Sequence, residues 1–200
     1  MAYVVIGLGN PGGEYAKTRH NAGRMAVELF AREQDFPEFL EKKAAKASVS
    51  QDTLEGEKVV LVLPEVFMNH SGKIAPAFVK SKPAAKKLVV VRDDIDMSLG
   101  AVKMVFGRGS GGHKGVESIA RALKTKDFIQ VKIGISKATA KGKVKKPLGE
   151  EGVVKYVIGK FAPAEEATLK KALAHAAESI QIFITEGPEK AMLVANTKYS

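Results

Sequence analysis

The sequence predicts a single α/β domain, residues 1–200, built on a mixed, mostly parallel twisted sheet with helices on both faces. Three observations predict it. Short apolar runs alternate along the chain with segments whose apolar residues recur at helical spacing, the pattern of a covered sheet. Leu88-Val89-Val90-Val91 sets four apolar residues in a row, as a strand buried on both faces does. Two hundred residues with 45% apolar content suffice for one core.

In chain order, Tyr3 to Leu8 is a short apolar run ending in glycines, a buried strand. Asn10 to His20 is polar, and Pro11-Gly12-Gly13 marks it as loop. Asn21 is placed to cap a helix in which Met25, Ala26, Leu29 and Phe30 share a face. Residues 45–52 and 57–63 read as a hairpin turning at Glu55-Gly56. Ser71-Gly72 precedes a helix over 73–81, and the strand Leu88–Val91 stops before Arg92-Asp93-Asp94. A strand at 101–106, a glycine-rich loop, a helix over 115–124 and a strand at 128–135 follow. A lysine-rich loop, a short Tyr156-Val157-Ile158 segment, a helix over 163–186 and a last helix from Pro188 complete the chain.

The formal charge is +10, from 32 Lys plus Arg against 22 Asp plus Glu, which favours a polyanionic partner, nucleic acid first. Lys137, Lys141, Lys143, Lys145 and Lys146 crowd one glycine-containing stretch, read as a mobile basic loop able to lie along phosphates. There is no cysteine, hence no disulfide, thiolate nucleophile or cysteine-ligated zinc. No N-terminal signal pattern and no apolar run near the ~20 residues of a membrane span occur, so a soluble, cytoplasmic protein is expected.

Gly7-Leu8-Gly9-Asn10-Pro11-Gly12 has the spacing of a dinucleotide fingerprint, but that site needs a helix opening inside the motif, and Pro11 to Gly13 extend the loop instead. His20 stands just before a helix, whose positive end disfavours imidazolium and keeps the ring neutral and able to accept a proton. Asp93, Asp94 and Asp96 follow the buried strand. They suit a metal or a capped turn, and a single aspartate bonded to His20 would give the base-plus-orienter pair of hydrolases. Asn69, after Phe67-Met68, offers neutral hydrogen bonds to a carbonyl or an oxyanion. Gly107 to Gly115 contains five glycines with Arg108, His113 and Lys114, but lacks the ending of an ATP-binding P-loop. Its composition suits close approach to an anionic ligand.

In their order along nearly the whole chain these segments resemble the bacterial peptidyl-tRNA hydrolase family. The matching segments are Gly7 to Gly12 with Tyr15, Thr18-Arg19-His20-Asn21-Ala22-Gly23, Phe67 to Gly72, Asp93-Asp94-Ile95-Asp96 with Gly100, Gly111 to Gly115, and Tyr156 to Phe161. The resemblance implies a cytoplasmic monomer that acts on peptidyl-tRNA without metal or cofactor. It implies that His20 draws a proton from the water that attacks the ester, and that Asp93 holds His20 in its basic form. Asn10 would distinguish a blocked peptide amide from a free amine, and Asn69 would position the substrate and stabilise the tetrahedral intermediate. Tyr15, Phe67 and Met68 would line the cleft, with His113 and Lys114 also contacting substrate. Lys103, Arg108 and the lysines between 137 and 146 are the candidate phosphate contacts.

Three positions depart from the family pattern. Lys114 stands where asparagine is usual, and unlike an amide it cannot accept a hydrogen bond. Arg92 replaces a histidine, and Val105 replaces a frequent basic contact, a loss the lysines of 137–146 would offset. Lys114 also favours an alternative, a non-catalytic RNA-binding relative of the same fold, whereas intact Asn10, His20, Asn69 and Asp93 favour the enzyme.

Overall fold

Strand β1 (Tyr3–Gly7) runs through the middle of the molecule and shows how the layers form. Successive side chains of a strand point to opposite faces. Val5 accordingly joins one apolar cluster, while Val4 and Ile6 join the other. The computed structural model describes residues 1–139 and 143–197. Its remaining strands are β2 (Leu40–Lys42), β3 (Ala47–Leu54), β4 (Glu57–Pro64), β5 (Leu88–Ser98), β6 (Val102–Phe106) and β7 (Ile129–Ser136).

They form one seven-stranded sheet in the order β2-β3-β4-β1-β5-β7-β6. The sheet is mixed, as expected, with its parallel part confined to the middle. The ladders β4-β1, β1-β5 and β5-β7 are parallel, while β2-β3, β3-β4 and β6-β7 are antiparallel. Helix α1 (Ala22–Glu33) packs on one face with two later helices, α6 (Glu166–Glu186) and α7 (Pro188–Asn196). On the other face lie α2 (Ala75–Phe78), α3 (Lys82–Ala85) and α4 (Lys114–Leu123). Helix α5 (Gly149–Val157) precedes α6. Among the described residues no helix is long and apolar enough to cross a membrane.

Several elements differ from the sequence reading. The helix expected over 73–81 is a 3-10 segment, Met68–Lys73, followed by the short α2 and α3. Pro76 and Pro83 each sit in a first helical turn, where a missing N–H costs nothing, but neither can extend a helix from before it. Tyr156 and Val157 belong to the end of α5 rather than to an isolated segment. Asn21 is the cap position of α1 but makes no side-chain cap bond, because its amide is used elsewhere. Strand β5 does not stop at Val91. It pairs with β7 from Val89↔Ile129 to Asp94↔Gly134, then slips in register before Ser98↔Ser136.

Glycines set how closely the layers meet at the carboxyl end of β5. A Cβ on Gly134 would lie 2.0 Å from the Ser98 carbonyl oxygen, so only glycine lets β5 cross β7 there. A Cβ on Gly23 would lie 2.2 Å from the Val91 carbonyl oxygen, so α1 rests backbone to backbone on β5. Gly23→Ala should therefore destabilise the fold by about 3 kcal/mol, the upper end for overpacking, since two backbones must part. Urea unfolding measures it, and a loss below half that value would mean that α1 can slide.

Candidate active site

Strands β4, β1, β5 and β7 run in the same direction, so their carboxyl ends share one edge, where open α/β sheets place ligands. His20 enters this edge on a 3-10 turn, Arg19–Asn21, directly before α1. Its neighbours hold that turn. Arg19 is buried, donates from Nη1 to the Ile135 carbonyl (2.9 Å), and pairs through Nη2 with Glu165 (2.6 Å). Its guanidinium also lies 4.7 Å from the ring centres of both Tyr156 and Phe161, which ties α5 and the segment after it to the His20 turn.

Asn21 clasps the backbone of Asn10. Its Oδ1 accepts from the Asn10 N–H (2.9 Å), and its Nδ2 donates to the Asn10 carbonyl (3.0 Å). The Asn10 side-chain oxygen in turn accepts the Met68 N–H at 2.9 Å. Met68 is buried beneath the start of α4, where a Cβ on Gly115 would come within 2.5 Å of its sulfur. The Gly72 N–H donates to Ser118 Oγ (2.9 Å), so the 3-10 segment is bound to α4. Asn69 is exposed on that segment, and Phe67 meets the Tyr15 ring edge-on at 6.2 Å. Hydrogen bonds and close packing thus link the loop after β1, the His20 turn, the Met68–Lys73 segment and the start of α4.

Asp93 supplies the centre. It is 2% exposed, and one oxygen, Oδ1, lies 2.9 Å from His20 Nδ1 and 2.9 Å from His113 Nε2. The three aspartates left open by the sequence therefore separate. Asp94 Oδ2 takes Arg92 (3.2 Å) and Lys132 (2.6 Å), and exposed Asp96 pairs with Lys146. The ligating atoms of His20, Asp93 and His113 lie within 4.8 Å of one another, a set that a divalent cation could also bridge. Two N–H donors on one carboxylate oxygen account for the same distances without an ion.

His113 is spent inside the protein. Its Nδ1 accepts the Val116 N–H (3.4 Å) and caps α4, while Nε2–H donates to Asp93. Neither nitrogen faces outward as a substrate contact would. His20 differs, because with Nδ1–H on Asp93 its Nε2 keeps a lone pair. Burial works against a charged His20, but the Asp93 carboxylate and its hydrogen bond outweigh burial and raise the pKa above 6.5. The sequence reading weighed only the helix terminus; the buried carboxylate at hydrogen-bond distance acts in the opposite sense and raises the ring's proton affinity. For His113 burial prevails and lowers the pKa, aided by the charges of His20 and Arg92. Burial alone would raise Asp93, but the two histidines hold it far below the usual carboxylate range.

A cavity of about 320 Å³ opens here, lined by His20, Asp93, His113 and Lys114 and, from α5, by Val154 and Val157. Asn10, Tyr15, Phe67 and Asn69 lie outside it and reach His20 through Asn21 and the Leu8–Asn10 turn. Exposed Lys114 spans the mouth to Glu150 at 2.9 Å. Lys103, Arg108, Lys137, Lys143, Lys145 and Lys146 are all exposed, and Lys141 lies outside the described residues. On either side of the residues outside the described set, Ala138 and Val144 form an antiparallel bridge.

Two arrangements escaped the sequence reading, although Arg92 and Lys103 were each singled out there. Arg92 pairs with Lys132 across β5-β7, and Lys132 with Lys103 across β6-β7, so three cations form one row on one face. The alternation in Ile129-Gln130-Val131-Lys132 was the available signal. Gln130 donates to the carbonyls of Arg108 (2.8 Å) and Gly109 (3.3 Å), anchoring the glycine-rich loop.

A buried carboxylate that orients a histidine, on the carboxyl edge of parallel strands, defines a site of the hydrolase class. The comparisons narrow this further: the chain belongs to the peptidyl-tRNA hydrolase family, whose model matches residues 4–200. The peptidyl-tRNA hydrolase of Thermodesulfovibrio yellowstonii is 39% identical over 196 residues, covering 96% of this chain and 98% of the relative. That of Syntrophotalea carbinolica is 33% identical, covering 98% and 97%. The crystal structure of peptidyl-tRNA hydrolase from Acinetobacter baumannii superposes with a TM-score of 0.87 at 29% identity, covering 98% of this chain and 95% of that one.

In a histidine NMR titration, His20 should titrate above 6.5 and His113 below it. Asp93→Asn should bring His20 below 6.5, since burial then acts with no carboxylate opposing it. A His20 midpoint that stays put in the variant would remove Asp93 as the cause.

Proposed function

We propose that this protein hydrolyses the ester between peptide and tRNA in peptidyl-tRNA, with His20 as general base. The observation that carries the reading is the 2.9 Å hydrogen bond from His20 Nδ1 to buried Asp93. It fixes the tautomer with Nε2 unprotonated and strengthens that nitrogen as a base. Nε2 takes a proton from a water whose oxygen attacks the ester carbonyl. The C–O bond to the terminal ribose then breaks, and the imidazolium returns the proton to the departing ribose oxygen, which leaves as the hydroxyl. Protons balance, and no covalent enzyme intermediate forms.

Asn69 and Asn10 serve this reaction as neutral amides. The Asn10 oxygen is held by Met68, which leaves its Nδ2 as the donor for a peptide carbonyl. Exposed Asn69 is placed to donate to the developing oxyanion. His113 acts through Asp93, as a positioning residue. Tyr15 and Phe67 form the apolar wall for the acceptor end, whereas Met68, expected there too, is buried beneath α4 and supports that wall from the core.

Affinity comes from phosphates. Exposed Lys103 and Arg108, with the lysines between 137 and 146, track the RNA backbone. Enzyme and tRNA meet in the cytoplasm, with the protein a monomer.

Release of tRNA from an N-blocked aminoacyl-tRNA tests the reading, and His20→Ala should lower kcat by about 10³-fold, within the range for loss of a general base. Absence of release by folded wild-type protein that still binds tRNA would favour the non-catalytic relative. The rate of the wild type should rise with pH through a midpoint above 6.5, because the protonated ring cannot accept a proton. Asp93→Asn should move that acid limb downward while lowering the plateau. For the phosphate contacts, Lys103→Ala should flatten the slope of log affinity against log salt by roughly 0.7–0.9, one contact's worth. An unchanged slope would take Lys103 off the RNA path.

A further inference from the structure

Lys114 and Glu150 belong to different walls of the cleft. Lys114 opens α4, directly after His113, and lines the same cavity as His20. Glu150 is in the first turn of α5, the helix that forms the facing wall through Val153, Val154 and Val157. Their side chains meet at 2.9 Å, and both are more than half exposed. The Lys114 charge also acts on His20, lowering its proton affinity, so the ammonium lies close to the reacting region. The helix start favours a carboxylate at Glu150 and at Glu151 alike, but only Glu150 is paired across the cleft.

We propose that Glu150 is an internal substitute for an RNA phosphate, holding Lys114 across the mouth of the empty cleft until a phosphate of the bound tRNA takes its place. The inference rests on the peptidyl-tRNA reading above. Lys114 cannot do what an amide does, having no acceptor, but an ammonium suits a phosphate oxygen. An exposed pair is weak, so it opens easily. An RNA backbone entering the cleft brings one phosphodiester charge per nucleotide, which offers Lys114 a new partner and repels Glu150. Substrate entry is then an exchange of ion pairs that frees α5 from α4. Glu150 acts as a brake on affinity, and Lys114 is the residue it restrains.

The test is a double-mutant cycle in the full chain with Glu150→Gln, Lys114→Asn and the pair, using Glu151→Gln as a charge control. Two readouts run in parallel: KM for N-blocked aminoacyl-tRNA and the dissociation constant of deacylated tRNA. Glu150→Gln should tighten both by about two- to fivefold, the scale of an exposed ion pair. It should do so only while Lys114 is present, and by more than Glu151→Gln does. Lys114→Asn should weaken binding and flatten its salt slope by roughly 0.7–0.9. Binding no tighter in Glu150→Gln, or an equal gain in the Lys114→Asn background, overturns the proposal. The dissociation constant decides the matter even if the wild type releases no tRNA, an outcome that would count against the hydrolase reading instead.

Discussion

One oxygen atom organises this protein: Oδ1 of Asp93, with an imidazole N–H on either side at 2.9 Å. A carboxylate taken out of water is costly unless its lone pairs are met, and both donors come from distant parts of the chain. His20 arrives from the start of α1 and His113 from the start of α4, on opposite faces of the sheet. Strand β5 must carry Asp93 past the edge of the apolar core to meet them, which its pairing with β7 as far as Asp94↔Gly134 allows. The fold therefore cannot be complete without assembling the site. Once Asp93 has both donors, only His20 retains an open nitrogen, because the other nitrogen of His113 caps α4.

Close approach is the geometric counterpart of that constraint. Donors on two helices reach one carboxylate only if both helices start tight against the sheet and its loops. Gly23 lets α1 touch the Val91 carbonyl, and Gly115 lets the start of α4 lie over Met68 and Leu8. Gly72 presses the Met68–Lys73 segment on the Ser118 carbonyl, 2.2 Å from where its Cβ would be. The charges behind the site are arranged with similar economy. Arg92 donates to the Asp93 carbonyl (3.0 Å) and pairs with Asp94, which also takes Lys132, so the buried cation is neutralised next to Asp93.

Much of this was legible in the sequence because it is local. The parallel core strands are apolar runs and the hairpin turns at Glu55-Gly56; the chemistry of bases and orienters pointed to one aspartate beside His20, but only the family resemblance singled out Asp93. What was illegible depends on partners far along the chain. Arg92-Asp93-Asp94 looks like a turn because three charges in a row have no place in a buried strand, until Lys132, Gln130 and two histidines supply their partners. Nothing near His113 indicates that both its nitrogens are used internally. Asn21 looks like an ordinary cap, and its actual role, clasping Asn10 eleven residues earlier, depends on how the loop folds back. The segment 73–81 has helical residues, but Pro76 and Pro83 start two short helices in place of one long one.

The charges divide by depth, and the division bears on how substrate is chosen. Around Asp93 the cations are paired within the protein, Arg92 and Lys132 both meeting Asp94. At the rim, Lys103 and Arg108 are exposed, and Lys114 and Lys146 are engaged only with the exposed carboxylates of Glu150 and Asp96. Exposed pairs exchange partners at little cost, buried ones do not. Phosphates can therefore compete for the rim without disturbing the hydrogen bonds that set the basicity of His20. Affinity can then respond to salt while the chemical step responds to pH, because the two depend on different ion pairs separated by burial.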